Sequence, residues 1–251
     1  MLKEPSVSIK RSTLMTLAIR VLLFLALAIL SACVNIRTVK IPQEYNNAES
    51  KIVIVPIESP GLYVAPTGWG MLLGAAGVVV EHAATASKRE ALAQNIKETW
   101  GDWRPEVVFR DKLAEELTKR GRTVIQESEI VLLPENIRDS SQAAPKWYNP
   151  DVTVFDHSTI MNRYNPTAIM EVGFEEPGII GHRVIVAALI KVVDPRTKNL
   201  IARRRVVKNI ATGKYKLKDP VQRQKYVADF KTTFENEMAK SALKMLDDIG
   251  F

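Results

Sequence analysis

Asp156-His157-Ser158 sets a carboxylate, an imidazole and a hydroxyl in consecutive positions, the three residue types of a hydrolase triad. The spacing works against that chemistry. The run Asp151-Val152-Thr153-Val154-Phe155-Asp156 has extended character, and neighbours on a strand point to opposite faces, so they cannot relay a proton in sequence. No Gly-x-Ser-x-Gly turn exists to present a nucleophilic serine. The other histidines, His82 and His182, stand alone, without the H-x-x-x-H or H-E-x-x-H spacing that sets two imidazoles on one metal. Gly68-Trp69-Gly70-Met71-Leu72-Leu73-Gly74 superficially resembles a phosphate-cradling loop. It departs from G-x-G-x-x-G, however, lacks the Lys-Ser/Thr of a P-loop, and lies well beyond its strand. No catalytic, cofactor-binding or metal-ligating residue is expected, no cofactor is implied, and the chain is read as a non-enzyme.

The most specific chemistry belongs to the only cysteine. Leu30-Ser31-Ala32-Cys33 follows the uninterrupted apolar run Val21 to Leu30, and that run follows the basic residues Lys3, Lys10 and Arg11. This is the anatomy of an export signal. The run is too short to span a bilayer, which takes about 20 apolar residues, and extending it backwards meets Arg20, at roughly 2.5–3.5 kcal/mol near a helix centre. The tetrad resembles the bacterial lipobox, in which a signal peptidase cuts before a cysteine whose thiol has received a diacylglyceryl group. Cys33 is therefore expected to be the lipidated first residue, carrying palmitate-type acyl chains. A plain secretory signal with a leftover thiol, and an uncleaved inner-membrane anchor, are the competing readings. Val34 is not the aspartate that retains such proteins in the inner membrane, so the expected location is the outer membrane, facing the periplasm.

The domains follow from that cut: residues 1–32 as lipoprotein signal peptide, 33–50 as tether and 51–251 as a periplasmic α/β domain. Residues 1–32 carry a net +3 (Lys3, Lys10, Arg11 and Arg20 against Glu4), which leaves +4 of the formal +7 for the mature chain. That is a mild excess, no recognition module accompanies it, and no nucleic-acid partner is expected. Arg203-Arg204-Arg205 is the densest basic cluster, and strand alternation makes it a solvated edge strand.

Several elements are legible. Lys51 to Ile57 is a β-branched run suited to a central strand buried on both faces. From Met71 to about Glu98 the pattern is helical, starting with a stretch that is apolar all round. Gly70, just before it, and Gly74, within it, form a G-x-x-x-G pair, so Trp69, Gly70, Gly74 and Gly77 are candidates for an oligomer or membrane contact, with burial against the sheet as the alternative. Pro105 opens a helix that runs through Lys119 to the C-cap candidate Gly121, and a strand follows at 122–126. Residues 134–150 read as a surface connection, and Ala168 to Phe174 as a strand. Arg183 to Val193 and Leu200 to Val207 flank six turn-forming residues as a hairpin. Asp219-Pro220 starts a final helix in which Phe230, Phe234, Met238, Ala242 and Leu246 form a core stripe, and Gly250 ends it. Trp100 with Trp103, and Trp147-Tyr148, are aromatic pairs that suit either a partner surface or lids on the core.

The lipobox, the early strand Lys51 to Pro56, the unit from Phe109 through Gly121 to Ile125, the hairpin around Asp194-Pro195-Arg196-Thr197-Lys198 and the terminal helix together resemble the periplasmic lipoprotein superfamily. That superfamily includes the curli-secretion channel and the lipoprotein activator of penicillin-binding proteins. The resemblance implies an α/β fold with a single mixed β-sheet flanked by helices and a long C-terminal helix, and a protein that acts through contacts with another envelope protein. The first expectation is an outer-membrane-anchored lipoprotein working in envelope or surface-structure assembly, attached to the membrane through its N-terminal lipid. The alternative is a ring-forming, homo-oligomeric subunit of a secretion or appendage-export complex. A hydrolase using His157 or His182 is the third reading, with no substrate that the residues name.

Overall fold

The computed structural model describes residues 37–59, 63–65, 90–92, 94–132, 155–175, 178–180, 183–212 and 219–251. The compact body begins at Arg37. The signal peptide, Cys33, the apolar stretch with Trp69, Gly70, Gly74 and Gly77, the connection 134–150 with Trp147-Tyr148, and His82 and His182 lie outside the described residues.

The body is a mixed α/β structure built on one seven-stranded sheet. Its strands are β1 (Lys51–Pro56), β2 (Tyr63–Ala65), β3 (Thr123–Gln126), β4 (Ala168–Phe174), β5 (Gly178–Ile180), β6 (Arg183–Val193) and β7 (Leu200–Ala211). β1 lies parallel between β3 and β4, whereas β4 and β5 both run antiparallel to β6, which pairs with β7 on its other side. β2 pairs with β5 as β1 does with β4, in parallel. Three helices are named: α1 (Pro105–Lys119), α2 (Ser158–Tyr164) and the 30-residue α3 (Pro220–Ile249). Among the described residues no helix is long and apolar enough to cross a membrane.

The sheet has two unlike faces. On one, Ile52, Ile54, Met170, Val172, Phe174, Ile190 and Val192 form a continuous core with Phe109, Leu113 and Leu117 of α1 and with the inner stripe of α3. On the other, a smaller cluster of Val53, Val55, Ile57, Ile169 and Leu189 is covered by Ile160 of α2, with Phe155 and Tyr164 packed beside it. β1 is thus buried on both faces, as its uninterrupted β-branched run requires.

α3 carries the expected stripe: Phe230, Phe234, Met238, Ala242 and Leu246 are all fully buried. Because 3.6 residues make a turn, a strict four-residue repeat drifts, and Tyr226, Val227, Met245 and Ile249 widen the buried face. Asp219 caps the start by accepting from the backbone N–H of Val221 at 2.9 Å, and Gly250 ends the helix at φ +94°. The amide of Phe251 then closes back on the carbonyl of Leu246 at 3.0 Å, a left-handed termination that favours glycine.

Trp100 and Trp103 turn out to be lids on this core. Trp100 stacks on Phe230 with centroids 5.0 Å apart and donates its indole N–H to the carbonyl of Val227, while Trp103 meets Phe234 edge-on at 5.5 Å and donates to Glu235.

Two features differ from the sequence reading. The described part of the expected tether, 37–50, packs on the body: Val39 exchanges two 3.1 Å backbone bonds with Arg203, Ile41 donates to the carbonyl of Ile249 at 2.7 Å, and its side chain is buried. The apolar Ile41 beside the open end of α3 explains the docking. The arginine cluster does sit on an edge strand, but its side chains are engaged rather than solvated. Arg204 bonds Asp248 at 2.7 Å, Arg205 bonds Glu175 at 2.6 Å, and Arg203 donates to the carbonyl of Arg37 at 3.0 Å.

Phe230 joins the stacked tryptophan to the α3 stripe, so Phe230→Ala should lower unfolding free energy by about 3–5 kcal/mol in a chemical denaturation series. A loss below about 1 kcal/mol would mean that this core closes without the aromatic stack.

Candidate functional site

Charge buried in the sheet marks the site. β4 is buried at every position, including Glu171, and β6 is apolar from Val184 onward except for Lys191, which is also fully buried. The two stand directly opposite each other in the β4–β6 register, an arrangement that puts Cβ atoms about 5 Å apart. On the far side of β6, Lys191 is opposite Arg203. A row of carboxylate, ammonium and guanidinium therefore crosses three strands on the face that α2 covers. Burying such groups is costly unless they are paired and hydrogen-bonded.

His157 completes the cluster. It is 7% exposed, and its Nε2 lies 2.7 Å from Oε1 of Glu171. The chain reaches this position through a local turn. Asp156 accepts from the backbone N–H of Ser158 at 3.2 Å and from its hydroxyl at 3.1 Å, which starts α2 and turns the intervening imidazole inward. At the other end Asn165, at φ +43°, stops α2 in the left-handed conformation that asparagine tolerates.

The apparent triad is thereby taken apart. Asp156 and Ser158 bond each other at the surface, while His157 bonds a different carboxylate 14 residues away. The side chains diverge as expected, although the cause is a helix start rather than a strand. Phe155 to His157 is not extended pairing, and residues 151–154 lie outside the described set.

A pocket of about 280 Å³ opens beside the imidazole, between the start of α2 and the β6–β7 turn. Its lining includes Phe155, His157, Asn162, Asp194, Arg196 and Lys198. Asp194 organises that turn: it accepts from the amide of Arg196 and the hydroxyl of Thr197, each at 2.8 Å, and from the hydroxyl of Tyr45 at 3.0 Å. Burial pushes its carboxyl upward, but these donors together hold it below the ordinary carboxylate value. Asp156 is held low by the amide and hydroxyl of Ser158, with Lys198 adding at 3.6 Å.

An imidazole fixed by a buried carboxylate is well oriented to meet a bound molecule with its other nitrogen, and Nδ1 of His157 has no hydrogen-bond partner among the described residues. The hydroxyl beside it, Ser158, is held by Asp156, so the pocket offers polar contacts and an oriented imidazole rather than an activated nucleophile. Among the described residues no group of three His, Cys, Asp or Glu is placed to hold a metal.

Sequence reasoning missed Glu171 and Lys191. The signal was present, since each is a lone charge inside an otherwise apolar strand. Of the residues singled out from sequence, the structure describes His157 but not Cys33 or the Trp69–Gly77 group.

The class defined so far is a mixed-sheet α/β domain with a buried histidine–carboxylate site. No protein-family model matches the chain, and no curated protein matches it. Among solved structures it is similar to the PelC dodecamer from Paraburkholderia phytofirmans, at 9% identity and TM-score 0.34, over 79% of this chain and 95% of that one. It is also similar to lipoprotein GNA1162 from Neisseria meningitidis, at 14% identity and TM-score 0.31, over 76% and 99%. Alignments at this level carry no residue role across.

Glu171→Leu should destabilise the fold by about 3–5 kcal/mol, because it leaves Lys191 buried without the carboxylate opposite. The double variant Glu171→Leu/Lys191→Met should recover most of that loss in the same denaturation assay, and no recovery would show the two charges to be independent. For Asp194 the depressed carboxyl contributes stability that is present above its ordinary value of 3.8 and lost as pH falls through the lower folded value. The stability advantage of the native chain over Asp194→Asn should therefore be full at neutral pH and shrink below about pH 3.8, measured by thermal unfolding across pH.

Proposed function

We propose that this chain is an outer-membrane lipoprotein, anchored through an acylated Cys33 and facing the periplasm, that acts by binding another envelope protein and not by catalysis. The observation that carries the reading is the order of the N-terminal residues: basic positions, then Val21 to Leu30, then Leu30-Ser31-Ala32-Cys33. The state of the histidine pocket supports the non-catalytic half, since the hydroxyl of Ser158 beside it is committed to Asp156. Envelope or surface-structure assembly is the role in which such a domain would serve.

A second reading, a ring-forming subunit of a secretion or appendage-export complex, rests on the Gly70-x-x-x-Gly74 pair in the apolar insert Trp69 to Val80. Light scattering on the detergent-extracted protein separates the two. A large discrete oligomer favours the ring, and a monomer or dimer favours the anchored adaptor. In the ring, Gly74→Leu should abolish assembly while leaving far-UV circular dichroism unchanged.

Cys33→Ser should move the protein from the membrane fraction to the soluble fraction. Retention of that variant after a salt wash would overturn the lipid anchor.

A further inference from the structure

The imidazole of His157 gives the pocket beside α2 a defined hydrogen-bond polarity. Its Nε2 stands 2.7 Å from Oε1 of Glu171, and a carboxylate only accepts, so Nε2 carries the hydrogen. Lys191, directly opposite Glu171 in the sheet, already balances that carboxylate. The ring therefore serves it as an uncharged donor, which leaves the second nitrogen, Nδ1, as an acceptor. The side chain is 7% exposed, and Nδ1 has no hydrogen-bond partner among the described residues. Nor is it one of the side-chain atoms sealed away from solvent without a partner, so it opens on the pocket that the ring lines.

The wall around it has the same polarity. The hydroxyl of Ser158 donates its hydrogen to Asp156 and keeps only lone pairs for a bound molecule. Asp194 is filled by the amide of Arg196, the amide and hydroxyl of Thr197 and the hydroxyl of Tyr45. The side-chain amide of Asn162 has no partner among the described residues and serves as donor or acceptor. Charge on the lining cancels, Asp156 and Asp194 against Arg196 and Lys198, with Lys198 3.6 Å from Asp156. That balance favours neither a cation nor an anion, and Phe155, Met161 and Val193 supply apolar walls. The volume of about 280 Å³ lies just below the range of about 300–1,000 Å³ usual for ligand pockets, which suits a molecule of one ring.

We propose that this pocket binds an uncharged polyhydroxylated molecule the size of one sugar ring. One ligand hydroxyl donates to Nδ1 of His157, and the amide of Asn162 meets a second oxygen. The buried Glu171 acts through the ring by holding it in the tautomer that accepts. Binding depends on the body alone, whatever holds the N-terminus of the chain.

The test is nitrogen NMR on the full chain with isotope-labelled histidine, in a detergent whose headgroup is not a sugar. At neutral pH and before any addition, His157 should carry hydrogen on Nε2 and none on Nδ1. Hydrogen on Nδ1, alone or on both nitrogens, would overturn the acceptor role. Glucose, galactose and N-acetylglucosamine are then added in turn, and at least one should shift the Nδ1 resonance with a Kd on the order of 1 mM. Glucuronate and glucosamine, which add a charge to the same ring, should bind severalfold more weakly. Asn162→Trp, at an exposed position of α2, should abolish the shift by filling the cavity while the Nε2 hydrogen stays in place, and the smaller change Asn162→Ala should weaken binding severalfold. No shift from any of the three neutral sugars at saturating concentration, tighter binding of either charged one, or a shift unchanged in both Asn162 variants would overturn the proposal.

Discussion

The register of β6 is the constraint on which the rest of the sheet depends. Both its faces are buried, and it pairs with β4 and β5 on one side and β7 along the other. A slip of one residue would turn Lys191 toward Phe109, Phe174 and Phe234 and send Ile190 to the α2 face. The same slip would take Lys191 away from Glu171. An ammonium ion in an aromatic core is far less stable than one facing a carboxylate, so the charged row favours one pairing over its nearest competitor. Buried ion pairs contribute little net stability once desolvation is counted, and on this reading the row contributes specificity of register. His157 belongs to the same account, because it satisfies Glu171 from above the sheet.

The two faces divide structure from function. The α1–α3 face is closed by long helices whose aromatic residues interlock through Trp100, Trp103, Phe230 and Phe234. The opposite face is covered over part of its width by α2, seven residues long and ended at Asn165. The β6–β7 turn rises beside it, stiffened by Asp194. The pocket is the gap between a short cover and a rigid turn, and the charge buried in the sheet lies beneath it. A small polar molecule held in this pocket would sit next to the oriented imidazole.

What the sequence revealed follows from how each element is specified. α3 was legible because its cap, its apolar period and its terminating glycine all agree, and the β6–β7 hairpin because two β-rich runs enclose Asp194-Pro195. The mixed sheet and long terminal helix expected from the resemblance are present. α2 was not legible, since seven residues hold less than two helical turns and the strand-like residues before it suggested extended structure. The site was half legible. His157 stood out by type, but its partner Glu171 is defined by a cross-sheet contact that no local pattern encodes, and the docking of 37–41 is likewise a contact across 166 positions.

That docking joins the register of the sheet to the point where residues 37–41 enter the body. β7 is a 12-residue edge strand, and a long open edge invites pairing with another chain. Val39 occupies part of it, at Arg203, and the arginine that receives it is the last member of the row that begins at Glu171 and passes through Lys191. The residues that select the pairing of β6 therefore also select where the chain enters the body. Weakening the buried row would loosen the docking of 37–41 together with the pairing of β6.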